Sequence, residues 1–140
     1  MKYILIIASF LILSSQAHSQ IKPVRKGWHS FTIQWISFNK TNPGKVYIKS
    51  IGDEEYSIEG EQRDKKTNEY VTIKGTFLNQ GRTLKFNGDI VSKINSINGG
   101  QPCTLNGLSI FKASGSRKYW RLQQMLNCDG ETTDYIDIFF

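Results

Sequence analysis

An apolar residue, one intervening residue and then glycine recur through the middle of the chain: Ile58-Glu59-Gly60, Ile73-Lys74-Gly75 and Phe86-Asn87-Gly88, with Leu105-Asn106-Gly107 as a fourth candidate copy. The first three copies lie about 15 and then about 13 residues apart, the length of one strand plus one turn. Around each copy apolar and polar residues alternate, so side-chain parity puts the glycine on the same face as its apolar partner. Glycine inside a strand weakens it, and is kept where a sheet bends sharply or another group approaches closely. Curved sheets that close into small barrels use that device. No window holds the 3.6-residue apolar spacing of a helix for more than two turns. The expected fold is therefore all-β: a single antiparallel meander of about eight strands forming a small β-barrel or a strongly curved sheet.

The remaining strands follow from alternation and turn residues. Phe31, Ile33 and Trp35 alternate with polar residues, and Ile36 and Phe38 continue on the opposite parity, which predicts a bulge. Asn42-Pro43-Gly44 predicts a turn into Val46 to Ile48, and Ile51-Gly52-Asp53 the next. Strands are expected over Tyr56 to Gln62, Val71 to Phe77 and Leu84 to Ile90, then over Leu108 to Phe111, Tyr119 to Leu126 and Thr133 to Phe140. Residues 91–102, with Ile94 and Ile97 and a break at Asn98-Gly99-Gly100, read as a long loop or a short helix.

The glycine row has two possible uses. Missing side chains at Gly60, Gly75 and Gly88 could leave a ligand cavity, completed by Trp35, Trp120 and Arg121. Alternatively they make room for Trp28, Trp35 or Trp120, and this reading is preferred because small barrels usually fill their interior with side chains.

At the N-terminus, Met1-Lys2 precedes an apolar block from Tyr3 to Leu13, followed by small and polar residues to Ser19. The block is shorter than the roughly 20 residues a membrane helix needs. Residues 1–19 read as a cleavable signal peptide, with Ala17 and Ser19 in the small-x-small arrangement and a new N-terminus at Gln20. Residues 20–140 then form one domain. Export takes Cys103 and Cys128, the only two cysteines, to an oxidising compartment, where they are expected to form a structural disulfide tying strand ends. The expected location is secreted or periplasmic.

Lysine and arginine number 18 against 12 acids, a net charge of +6 that falls by one with loss of Lys2. Residues 21–52 hold Lys22, Arg25, Lys26, Lys40, Lys45 and Lys49 without an acid, and Asp53 to Glu61 reverse the sign. A second basic stretch from Lys74 to Arg121 precedes an acidic tail of Asp129, Glu131, Asp134 and Asp137. A basic face would attract an anionic surface or acidic protein. The preferred reading is that oppositely charged strands lie side by side and neutralise each other.

Catalytic groupings are scarce. His29 is the only histidine after Ser19 and is expected at the surface near a strand start, and no Gly-x-Ser-x-Gly elbow occurs. Glu59 and Glu61 are paired carboxylates expected to point to solvent, and Asp129-Gly130-Glu131 with Asp134 lacks the spacing of a calcium loop. Arg117, Lys118, Tyr119, Trp120 and Arg121 could stack on single-stranded nucleic acid, but export and the core habit of tryptophan argue against it. Arg121 is expected to pack over the Trp120 indole and close one barrel end. No enzyme activity, cofactor, metal or nucleic-acid partner is expected.

Gly27-Trp28, Arg121 and Thr133-Asp134-Tyr135 resemble signatures of lipocalin-like (calycin) barrels. The adjacency of Gly27 and Trp28 and the late position of Thr133 to Tyr135 depart from the family pattern. The resemblance implies a barrel, and a small apolar ligand in its mouth. In general texture the chain also resembles small exported proteins of the Bacteroidota. The alternation of Ile136, Ile138 and Phe140 up to the C-terminus is similar to the closing strand of an outer-membrane barrel, but a soluble barrel is preferred because the expected strands are short. The functional expectation is a non-catalytic binding protein carrying a small or anionic ligand. The alternatives are a protein-interaction module, such as an inhibitor of a secreted hydrolase, and a small outer-membrane barrel.

Overall fold

A computed structural model of the chain describes residues 20–36 and 43–140. The signal-peptide reading of residues 1–19, and Phe38 with the start of the Asn42 turn, lie outside them. Eight strands follow one another in sequence order: β1 (Gly27–Ile33), β2 (Gly44–Gly52), β3 (Glu55–Arg63), β4 (Tyr70–Asn79), β5 (Thr83–Lys93), β6 (Cys103–Lys112), β7 (Tyr119–Leu122) and β8 (Ile136–Phe139). Each pairs antiparallel with the next, and β8 returns to β1 through Phe31↔Ile138 and Ile33↔Ile136, closing the barrel. Closure leaves no long sheet edge across this seam, the usual physical reason for a small all-β chain to form a barrel.

The interior is packed. Phe31, Phe77, Phe86 and Phe111 are fully buried along with Ile33, Ile48, Ile58, Ile73, Leu84, Leu122 and Ile138. Phe86 meets Phe111 edge-on at 6.0 Å, and Tyr56 stacks on Phe77 at 5.2 Å. One end is crossed by the segment before β1: Val24 is buried, its N–H donates to the Tyr56 hydroxyl, and Asn79 donates to the Lys22 carbonyl. His29 is buried there too. Its ring nitrogens lie 2.6 Å from the carbonyl oxygens of Phe139 and Arg25, tying the start of β1 to the end of β8, so the expectation of a surface histidine is corrected. At the opposite end Ile36, Ile94 and Ile97 are buried.

The glycines mark the tightest strand approaches. Gly75 pairs directly with Gly88, and Gly88 with Gly107, whereas Gly60 sits two positions off this row, opposite Ile73 and Val46. A Cβ on Gly60 would lie 2.1 Å from the Lys45 carbonyl oxygen, and one on Gly75 would lie 2.3 Å from that of Asn87. The Phe86 ring fills the space beside Gly75 and Gly88. The glycines therefore neither line an open interior cavity nor make room for tryptophan. They admit neighbouring backbone and a phenylalanine, and Trp28 and Trp35 stand outside the barrel.

Several boundaries differ from the sequence reading. β2 and β6, at nine and ten residues, are longer than the expected Val46 to Ile48 and Leu108 to Phe111, so the expectation of short strands is corrected for this part of the wall. β1 ends at Ile33 in a turn instead of continuing through a bulge, because buried Gln62 on β3 accepts from the Ile33 N–H and donates to the Ile36 carbonyl. β5 runs on to Lys93, and only Asn98–Gly100 of the expected loop is helical, as one 3-10 turn. β7 and β8 are four residues each. Between them the single Leu126↔Thr133 bridge leads into a hairpin tip that carries Cys128. Its disulfide to Cys103, the first residue of β6, ties this tip to a strand end.

Candidate ligand groove on the outer wall

Because Phe31 and Ile33 of β1, Trp120 and Leu122 of β7 and Ile136 and Ile138 of β8 point inward, parity turns Ser30, Thr32, Tyr119, Arg121, Asp137 and Phe139 outward. The register sets Arg121 opposite Asp137, and Asp137 opposite Thr32. Arg121 donates to both Asp137 oxygens, Nε to Oδ1 at 2.8 Å and Nη2 to Oδ2 at 2.9 Å. This two-pronged pairing is the geometry in which guanidinium and carboxylate bind best. The Asp137 bonds hold the Arg121 pKa above its ordinary value, against the opposing effect of burial. The guanidinium lies 4.2 Å from the Tyr135 ring centroid and 5.2 Å from that of Tyr119. The expected stack on Trp120 is thereby corrected: Trp120 points inward, donates to the Gly81 carbonyl and packs against Phe140 at 4.3 Å.

A second wall of the groove is the turn after β1. Gln34 accepts from the Tyr135 N–H and donates to the Thr133 carbonyl, so one carboxamide continues the seam where the strand ladder has stopped. Trp35, 43% exposed, is held by an indole N–H bond to Asp134 Oδ1 at 2.9 Å. The other Asp134 oxygen accepts from Asn127. Trp35, Ile36, Pro43, Tyr135 and Phe139 rise around the Arg121–Asp137 pair to enclose an open groove of about 1070 Å³.

A smaller groove of about 720 Å³ lies further round the wall. Trp28 and Tyr47 meet there edge-to-face at 5.0 Å, beside Lys45, Lys49, Glu59, Glu61 and Lys74.

Of the residues selected from sequence, Trp35 and Arg121 meet in the first groove, Gly60 and Gly75 border the second, and Gly88 and Trp120 border neither. The candidate acids are dispersed. Glu59 pairs with Lys74, Glu61 with Arg63, and Asp134 is buried against Trp35 and Asn127. Asp129 accepts from the Thr132 hydroxyl and from the N–H groups of Thr132 and Glu131, and these bonds lower its pKa. Sequence reasoning missed Tyr135 as a groove wall, Asp137 as the partner of Arg121, and Gln34 and Gln62 as braces. The Arg121–Asp137 pair becomes readable only once the β7–β8 register is known.

The eight-stranded antiparallel barrel implied by the lipocalin-like signatures is present, although their residues do not gather into one cluster. Trp28 pairs with Tyr47, while Arg121 meets Tyr135. No solved structure matches the chain. A protein of Pasteurella multocida strain Pm70, named "Uncharacterized protein PM1083", is 33% identical over 138 residues, covering 99% of this chain and 88% of the relative. The similarity thus includes the barrel and both grooves, and with the PM1083 family model matching residues 13–140, the chain belongs to the PM1083 family.

Proposed function

We propose that this is an exported, non-catalytic binding protein that engages its partner on the outer wall of the barrel, in the groove between Trp35 and Tyr135. One contrast carries the reading: aromatic and aliphatic side chains pack the interior, while Trp35, Tyr135 and Phe139 stand around an outward groove of about 1070 Å³. Large aromatic rings held by polar braces are the kind of surface that anchors protein partners. Arg121 is stacked between two tyrosines with donors to spare beyond the two given to Asp137. The partner we favour is a protein segment that inserts an apolar side chain beside Trp35 and sets a carbonyl or carboxylate on Arg121. In that role the chain itself would be a protein-interaction module, such as an inhibitor of a secreted hydrolase.

A ligand carried inside the barrel is not supported, because buried side chains occupy both ends and the middle. A membrane-spanning role is disfavoured by the outward row Glu59↔Lys74↔Asp89, which crosses β3 to β5 where a spanning barrel carries its apolar band. The Cys103–Cys128 disulfide fits an extracellular or periplasmic location.

Native mass spectrometry of the protein purified from its own culture, alongside the Trp35→Ala/Tyr135→Ala variant, tests the reading. A bound species on the wild type that is missing from the variant supports the groove. An adduct of equal occupancy on both would place the ligand elsewhere and overturn the proposal.

A further inference from the structure

The smaller groove carries a different chemistry from the first. Its outer row runs Trp28↔Tyr47↔Glu59↔Lys74 across β1 to β4. Trp28 is 59% exposed although it is held at 5.0 Å from Tyr47, so a large ring is fixed in place with much of its surface facing water. On β2, Lys45, Tyr47 and Lys49 share the outward face, and the Lys49 ammonium lies 5.7 Å from the Tyr47 ring centroid.

The acids of this groove turn to other partners. Glu59 pairs with Lys74, and Glu61, although the register sets it opposite Lys45, pairs with Arg63, so among the described residues no carboxylate lies within ion-pair distance of Lys45 or Lys49. Three lysines against two glutamates line the groove, and Lys45 and Lys49, which flank the aromatic platform, keep their ammonium groups free of an ion pair among the described residues, in a channel bordered by Gly60 and Gly75 and by the hydroxyl residues Ser57 and Thr76.

We infer that this groove is a second binding site, for an acidic polysaccharide. Sugar rings would stack their C–H faces on Trp28 and Tyr47, hydroxyls would meet Ser57 and Thr76, and carboxylate, phosphate or sulfate groups would lie against Lys45 and Lys49. Charge complementarity selects an anion, and an aromatic platform set beside hydroxyl residues in a recess of the wall suits a chain of sugar rings better than a flat lipid surface. Groove and chemistry are separate from the Trp35 site, so this inference does not depend on that proposal.

Affinity electrophoresis of the full protein through gels containing dextran sulfate or neutral dextran provides the test, with vesicles containing phosphatidylglycerol assayed by co-sedimentation. The wild type should be retarded by dextran sulfate only and should not sediment with the vesicles. Lys45→Gln/Lys49→Gln and, separately, Trp28→Ala should each weaken retardation by about tenfold, and added salt should weaken that of the wild type, as counterion release requires. Lys65→Gln/Lys66→Gln, which removes the same charge from an exposed loop, should leave it unchanged. All these side chains are exposed, and matching melting curves will show that the variants fold. Equal losses in both lysine variants would reduce the effect to net charge, and an unchanged Trp28→Ala would remove the aromatic platform; either overturns the inference. So would Trp28-dependent sedimentation with vesicles in the absence of dextran sulfate binding, which would make the groove a membrane contact.

Discussion

At Gly60 the close packing of β2 against β3 depends on one missing methyl group. Its φ lies outside the left-handed region, so alanine is conformationally acceptable, yet the added Cβ would meet the Lys45 carbonyl and the Val46 Cα, both backbone. Backbone cannot swing aside as a side-chain tip can, so Gly60→Ala should destabilise the fold by about 1–3 kcal/mol, measured by urea unfolding; an unchanged midpoint would show that β2 and β3 are not packed this closely. Gln62 illustrates the opposite kind of residue. Read as part of an alternating strand, it carries no visible role, but its buried carboxamide satisfies the Ile33 N–H and the Ile36 carbonyl. Gln62→Leu should cost about 2–4 kcal/mol by orphaning both groups, with the loss visible as faster amide exchange at Ile33. The glycine spacing was legible because strand parity and turn length are local properties. The Gln62 brace was not, since its two bonds join residues far apart in sequence. His29 was misread for a related reason: Arg25 is a local partner, but the Phe139 carbonyl reaches the ring only when β1 closes on β8.

Among the elements, the tip between Leu126 and Thr133 replaces strand ladder with side-chain bonds and a disulfide. The sequence reading carried β7 up to Leu126 and began β8 at Thr133, because nothing in the local pattern reveals that the Asp134, Asn127 and Asp129 carboxylates and amides will cap backbone and indole groups. Removing the bridge with Cys103→Ser/Cys128→Ser should destabilise the protein by about 3 kcal/mol, the closure entropy of a 25-residue loop, read from the shift of the urea midpoint. The tip also gives a pH signature. Because the folded pKa of Asp129 lies below its ordinary 3.8, its contribution is present above that value and is lost as pH falls through the lowered folded pKa. The stability gap between wild type and Asp129→Asn should therefore narrow on acidification below about pH 4, followed by urea midpoints across pH 2–6; a pH-independent gap would contradict it.

For the whole molecule, the charge pattern resolved as side-by-side neutralisation over part of the wall, in Glu59 against Lys74 and Lys74 against Asp89, while Lys45 and Lys49 near Trp28 form no ion pair among the described residues. The number of strands and their order were readable because a meander is built from adjacent pairs. Which surfaces face each other across the closing seam was not, and the Trp35 groove is made of that seam. On our proposal, binding takes place on this outer wall while the barrel interior stays packed. Site-specific photo-crosslinking in the producing cells tests it most directly, with Tyr135→p-benzoylphenylalanine in the groove and Thr104→p-benzoylphenylalanine on exposed β6 as the comparison. A discrete crosslinked species at position 135 and none at position 104 is the predicted result. No adduct at position 135, or the same adducts at both positions, would contradict the account.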